Sequence, residues 1–248
     1  TRMNAPLVFL PGWCLGRGPL NAVTQSDFLQ GAFNAPNGEI FDLPGYRDAP
    51  LISDFYAAAD AIAARLPDGS TLVGWSLGAQ LAIAIAVRRP AKVGKLVLIA
   101  GTASFVQRDG WPHAMPAETL AEFAAGVTAD IDAMLPRFVG GFNRGDARAR
   151  AVTLELLQLA DPRPAAATLD SGLNWLRDVD LRPLAPKITA PTLLIHGAND
   201  PLMPLAAAEA LAALIPGAEL TIFADCAHAP FISQPAAFNA RLSQFLNA

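Results

Sequence analysis

The most chemically suggestive residues of this chain are Gly74-Trp75-Ser76-Leu77-Gly78, a serine flanked at two-residue spacing by glycines. They directly follow the apolar run Thr71-Leu72-Val73 and open the Ala- and Leu-rich stretch to Arg89, so the pattern stands where a strand turns into a helix. Glycines without Cβ let the chain turn sharply enough to hold Ser76 in a strained conformation with its hydroxyl in a cleft. A serine hydroxyl is a weak nucleophile at neutral pH, so it needs a base within hydrogen-bond reach, and the base needs an acid to orient it. Of the three histidines, His228 in Asp225-Cys226-Ala227-His228-Ala229-Pro230-Phe231 follows the last strand-like run and is the expected base. His196 ends a strand-like run and suits a buried supporting role, and His113 lies in a long helical insertion. The expected acid is Asp200 in Gly197-Ala198-Asn199-Asp200-Pro201, 28 residues before His228. Asp225 is the rival acid, only three residues from His228 in the same loop; Asp200 has the competing reading of an Asx turn before Pro201.

A serine that attacks a carbonyl also needs donors for the oxyanion. The Leu77 N–H at a helix start is one, and the loop Leu10-Pro11-Gly12-Trp13-Cys14 after the first strand offers the Trp13 N–H as the second. The Trp13 and Trp75 side chains are either apolar walls for an acyl chain or plain core packing.

These residues require a scaffold that brings strand ends together. Strands are expected at Leu7–Leu10, Glu39–Leu43, Thr71–Trp75, Lys95–Ala100, Thr192–His196 and Glu219–Phe223, with helices at Ser53–Leu66, Leu77–Arg89, Leu205–Ile215 and Pro235–Leu246. This alternation predicts an α/β fold, a mainly parallel central sheet flanked by helices, in which function gathers at the carboxyl ends of the strands. The interval from Ser104 to about Pro183 has no strand and is too long for a loop; it carries helical stretches at Ala117–Ala125, Ile131–Phe142, Ala147–Ala160 and Ala165–Arg177. We read it as a helical cap, residues 104–183, inserted in a core formed by residues 1–103 and 184–248.

Composition narrows the function classes. With 52% hydrophobic and 16% charged residues the chain can bury a large core, which excludes intrinsic disorder. A formal charge of −4 offers no general attraction to nucleic acid or anionic membranes. The mean hydropathy is +0.32, yet the strongest apolar run, Leu81–Val87, is far shorter than a membrane span. The start Thr1-Arg2-Met3-Asn4 has no apolar signal region, which implies a cytoplasmic protein. Cys14 and Cys226 form no CxxC and the histidines lack metal-ligand spacing, so neither a metal site nor a disulfide scaffold is expected; the thiols are read as inert, with a redox pair as the rival.

The residues identify the chain as similar to the α/β-hydrolase superfamily, and more narrowly to the pimeloyl-acyl carrier protein methyl ester esterases of biotin synthesis. The resemblance runs over nearly the whole chain. It rests on Pro11-Gly12-Trp13, Asp42-Leu43-Pro44-Gly45-Tyr46, the serine pentapeptide, Arg108-Asp109-Gly110-Trp111-Pro112, Asp178-Val179-Asp180-Leu181-Arg182-Pro183-Leu184, and the tail from Phe223 through His228 to Ser233. It departs where Pro11 replaces a common histidine and Ala79 a common glycine, and where the chain starts at the first oxyanion-loop strand without the N-terminal hairpin of relatives. The resemblance implies a cofactor-independent serine esterase with nucleophile Ser76, acid Asp200, base His228 and oxyanion donors Trp13 and Leu77. It also implies an acyl carrier protein as partner, with Arg137 and Arg150 at the family's docking positions; a monomer is expected. Residues 137–150 hold four arginines, Arg137, Arg144, Arg148 and Arg150, against the single acid Asp146. They form either a dock for an acidic, phosphate-bearing partner or an ordinary solvated helix face. Phe105, Phe123, Phe138 and Phe142 either line an acyl tunnel or simply pack. Three other readings share the scaffold: a broad carboxylesterase for small esters, a carbon–carbon hydrolase or lyase, and a ligand receptor without catalysis.

Overall fold

The computed structural model describes residues 5–26 and 38–248; Thr1–Asn4, which bore the expectation of no signal region, lie outside them. In chain order the strands are β1 Leu7–Leu10, β2 Glu39–Ile40, β3 Ser70–Trp75, β4 Val93–Ile99, β5 Thr192–Gly197 and β6 Glu219–Phe223. The described helices are α1 Gly18–Thr24, α2 Phe55–Arg65, α3 Leu77–Arg88, α4 Ala117–Ala129, α5 Ile131–Phe142, α6 Ala149–Leu159, α7 Ala166–Asp178, α8 Leu205–Leu214, α9 Pro230–Ser233 and α10 Pro235–Leu246.

All six strands are parallel, in the order β2-β1-β3-β4-β5-β6. The inner strands β1, β3, β4 and β5 are largely buried on both faces and alternate along their length, whereas β6 at the edge leaves Glu219 and Ile222 exposed. Val8, Leu10, Leu72, Leu96, Leu98 and Leu194 pack with α2, α3 and α8. Phe9, Val73, Trp75, Val97, Ile99 and Ile195 pack on the other face with α1 and α10. This period of two across a sheet covered by helices is what a parallel sheet demands. The strand order reverses between β1 and β3, so a crevice opens beyond their carboxyl ends, where Trp13 and Ser76 stand.

The second strand is shorter than Glu39–Leu43. Asp42 leaves the ladder because the Arg17 guanidinium grips both of its oxygens, at 2.9 and 2.8 Å, and Pro44-Gly45 then turns the chain. Helix α2 starts at Phe55 rather than Ser53, since the Asp54 carboxylate accepts the Ala57 N–H at 2.7 Å and caps the helix.

Between β4 and β5 stand α4–α7. The Leu181 N–H donates to Ala103 O at 2.8 Å, Arg182 to Asp109 O at 2.6 Å, and the Trp111 indole to Ser104 O at 3.0 Å. The two ends of this insertion are thereby tied together at its neck, by residues from the two segments that carried the narrower resemblance. Among the described residues no helix is long and apolar enough to cross a membrane, and no cluster of His, Cys, Asp and Glu has the makings of a metal site.

Candidate active site

Strand β3 ends at Trp75 and α3 begins at Leu77, so Ser76 alone turns the chain, at φ 58° and ψ −117°. That conformation costs about 1–3 kcal/mol for a residue with a Cβ and persists only where its surroundings enforce it. Enforcement comes from close backbone packing. A Cβ on Gly74 would lie 2.3 Å from Gly78 O, and one on Gly78 would lie 2.3 Å from Leu10 O.

Ser76, His228 and Asp200 meet beyond the carboxyl ends of β3, β5 and β6. The Ser76 Oγ is 3.0 Å from His228 Nε2, and His228 Nδ1 is 2.8 Å from Asp200 Oδ2. The other Asp200 oxygen accepts the Leu202 and Met203 N–H groups, both at 2.9 Å. A carboxylate holding three donors needs the proton on His228 Nδ1, which leaves Nε2 bare to accept the Ser76 hydroxyl proton. The Trp75 indole N–H donates to His228 O at 3.0 Å, and the Trp75 and Phe142 rings flank the imidazole at 5.7 and 4.8 Å. The rival acid Asp225 is exposed and makes no hydrogen bond to His228.

His196 is buried beside this relay, its Nε2 2.6 Å from Met203 O. A carbonyl only accepts, so Nε2 carries the proton. Burial pushes the basicity of His196 down, although Asp200 and the Met203 carbonyl pull it up. A neutral His196 thus pins Met203, whose N–H orients Asp200. His113 is exposed, remote from this role.

Above Ser76 lies an apolar cavity of about 140 Å³, walled by all six aromatic candidates, Trp13, Trp75, Phe105, Phe123, Phe138 and Phe142. Leu77, Leu120, Leu173 and Leu176 also line it, as does Met115 in the bridge beside Val106; in the sequence the leucines show only as ordinary helical periodicity. Trp13 stands edge-on to Phe123 and Phe138, with ring centres 5.6 and 5.4 Å away, and its indole donates to Leu169 O of α7 at 3.0 Å. Among the described residues the backbone N–H groups of Trp13 and Leu77 have no hydrogen-bond partner, which leaves both free for an oxyanion. The next amide, that of Cys14, donates to the buried Tyr46 hydroxyl at 2.7 Å, while Cys14 itself takes φ 77°. Tyr46 therefore buttresses the loop that carries the Trp13 amide, a contact no local pattern announces.

Arg137 and Arg144 are exposed and line a second depression, which shares Phe123, Phe138, Phe142 and Leu202 with the cavity over Ser76. The other two arginines of residues 137–150 are placed differently. Arg148 donates to Ser233 O at 2.6 Å and to Ile232 O at 3.3 Å, and Arg150 is exposed in the first turn of α6. Cys14 and Cys226 are buried free thiols whose pKa burial pushes up to about 12, so both stay protonated and unreactive near neutral pH.

The alpha/beta hydrolase family pattern matches residues 7–241. The pimeloyl-[acyl-carrier protein] methyl ester esterase of Aromatoleum aromaticum is 41% identical over 244 residues, covering 94% of this chain and 95% of that protein. Its namesake from Nitrosomonas europaea is 38% identical, with 96% and 94% covered. Among solved structures, an esterase from Exiguobacterium antarcticum superposes with a TM-score of 0.83 at 24% identity, covering 99% of this chain and 94% of that one.

Proposed function

The chain belongs to the α/β hydrolase family and, within it, to the pimeloyl-[acyl-carrier protein] methyl ester esterases, and on that premise we propose that it hydrolyses the methyl ester of a pimeloyl chain borne by acyl carrier protein. The observation that carries the chemistry is the hydrogen-bonded relay from Ser76 through His228 to Asp200 at the floor of an apolar cavity.

The Ser76 oxygen attacks the ester carbonyl as His228 Nε2 takes its proton, and the Trp13 and Leu77 N–H groups hold the tetrahedral oxyanion. Asp200 stabilises the imidazolium without taking its proton. Collapse expels methanol, which leaves with the proton from His228, and an acyl ester remains on Ser76. Water then attacks that ester, again giving its proton to His228; Ser76 departs with it, and the free carboxylic acid is released.

Residues 104–183 serve as the cap. The apolar walls suit the methylene chain of the acyl group, and Arg137 and Arg144 at the outer depression suit the phosphate and acidic surface of a carrier protein. The test is methanol release from methyl pimeloyl-acyl carrier protein against the same ester on pantetheine, with Ser76→Ala as blank. A large preference for the carrier-bound ester is expected. Equal rates would leave the serine esterase standing and overturn the carrier-protein substrate.

A further inference from the structure

The turn that joins α5 to α6 bears arginines on its outside and one acid, Asp146, which is turned inward and buried. Both oxygens of this carboxylate are engaged. Oδ1 accepts the Arg148 N–H at 2.7 Å within the turn, and Oδ2 accepts the Ala227 N–H at 3.1 Å, across 81 residues of chain. Ala227 immediately precedes His228.

The same turn holds the relay's loops at further points. The Ala147 N–H donates to Asp225 O at 2.9 Å, Asn199 Nδ2 donates to Gly145 O at 2.9 Å, and the Asn199 N–H donates to Cys226 O at 2.9 Å. Asn199 is the neighbour of Asp200. The loop that presents the base and the loop that presents the acid are thus fastened to one another and to the arginine-bearing turn. Asp225, at the root of the base loop, takes φ 54°, a left-handed conformation for a residue with a Cβ. Such a loop keeps its shape only while its hydrogen-bonding groups are held from outside.

We propose that Asp146 is a positioning residue for His228: its carboxylate fixes the Ala227 amide and so holds the imidazole at hydrogen-bond distance from both Ser76 and Asp200. This rests on the triad reading above. Asp146 touches no substrate, so its removal is expected to act on turnover rather than on binding. A base displaced by about 1 Å can lose on the order of 100-fold in rate.

The experiment is steady-state hydrolysis of p-nitrophenyl acetate, with the rate of fluorophosphonate labelling of Ser76 measured in parallel. For Asp146→Ala we expect kcat to fall about 10- to 100-fold with KM within about twofold of wild type, and labelling to slow in the same proportion. Asn199→Ala removes an exposed side chain whose amide ties the turn to the acid loop, so it spares folding if Asp146→Ala does not. It is expected to lower kcat about two- to fivefold at constant KM. A folded Asp146→Ala protein with a lower melting temperature but wild-type kcat would overturn the proposal, as would an unchanged kcat in Asn199→Ala. Wild-type turnover that Ser76→Ala abolishes reads the triad separately, so a flat response to these variants on an active background counts against the positioning role alone.

Discussion

Replacing Asp200 by Asn tests the relay at its most constrained point. The aspartate spends one oxygen on the Leu202 and Met203 N–H groups and the other on His228 Nδ1. Asparagine can keep an oxygen toward the two backbone donors, which places its NH₂ against Nδ1. His228 must then accept at Nδ1 and carry its proton on Nε2, so it donates toward Ser76 and cannot act as base. The reversed amide would restore the working tautomer but set NH₂ against two backbone donors. Losing two such hydrogen bonds costs about 3–6 kcal/mol, which limits the reversed form to roughly 10⁻² to 10⁻⁴ of the molecules. Asp200→Asn should therefore lower kcat about 10²- to 10⁴-fold, while KM and the melting temperature stay close to wild type. The assay is p-nitrophenyl acetate turnover with thermal melts alongside. A variant retaining more than about a tenth of the wild-type kcat would refute the argument that the two backbone N–H groups lock the amide.

Four further outcomes follow from the same geometry. Charge reversal at both Arg137 and Arg144 should lower kcat/KM for the carrier-borne ester about tenfold or more, with p-nitrophenyl acetate turnover within about twofold; the carrier effect should shrink at high salt, read by repeating both assays across ionic strength. Cys14 and Cys226, buried with pKa values pushed up to about 12, should resist iodoacetamide at pH 8 in the native protein and both react once it is unfolded, as mass spectrometry will show. His196 is held neutral below its ordinary value of 6.5, so the unfolded chain binds a proton there that the folded one refuses, and stability falls as pH drops below about 6.5. His196→Gln keeps a donor for Met203 O and should remove up to about 1.4 kcal/mol per pH unit of that slope, measured by urea unfolding between pH 7.5 and 5.5. Gly78→Ala drives a Cβ to 2.3 Å from Leu10 O and 2.5 Å from Pro11 O, both backbone, and should cost about 3 kcal/mol, a melting temperature lower by roughly 6–12 °C.

What the sequence made legible divides along physical lines. The inner strands of the sheet stand where apolar runs meet Gly or Pro punctuation, because a strand buried on both faces has little freedom in composition. Two short helices, α1 and α9, had no counterpart in the sequence reading; each carries a proline in its first turn, where proline forfeits no hydrogen bond. Helix α4 runs to Ala129 rather than Ala125. Gly126 signals an end by propensity, but its bareness serves the close crossing of α5, where a Cβ would lie 2.9 Å from the Met134 sulfur, and Val127 is buried beyond it. Packing overrides propensity at that position.

The relay was legible for a related reason: Ser76, Asp200 and His228 each sit just past a strand, and a parallel sheet delivers strand ends to one side. What holds them there was not. The Tyr46 hydroxyl on Cys14 N–H, the Trp75 indole on His228 O and the Asp146 carboxylate on Ala227 N–H span 32, 153 and 81 residues, and none leaves a local pattern. Asp146 shows how far composition alone can mislead. Counted along residues 137–150 it partly offsets four arginines, yet in the fold it is buried and bound to backbone amides. The face that the turn presents to solvent is therefore more basic than the sequence suggests, and the one acid among the arginines points toward the base rather than toward a partner.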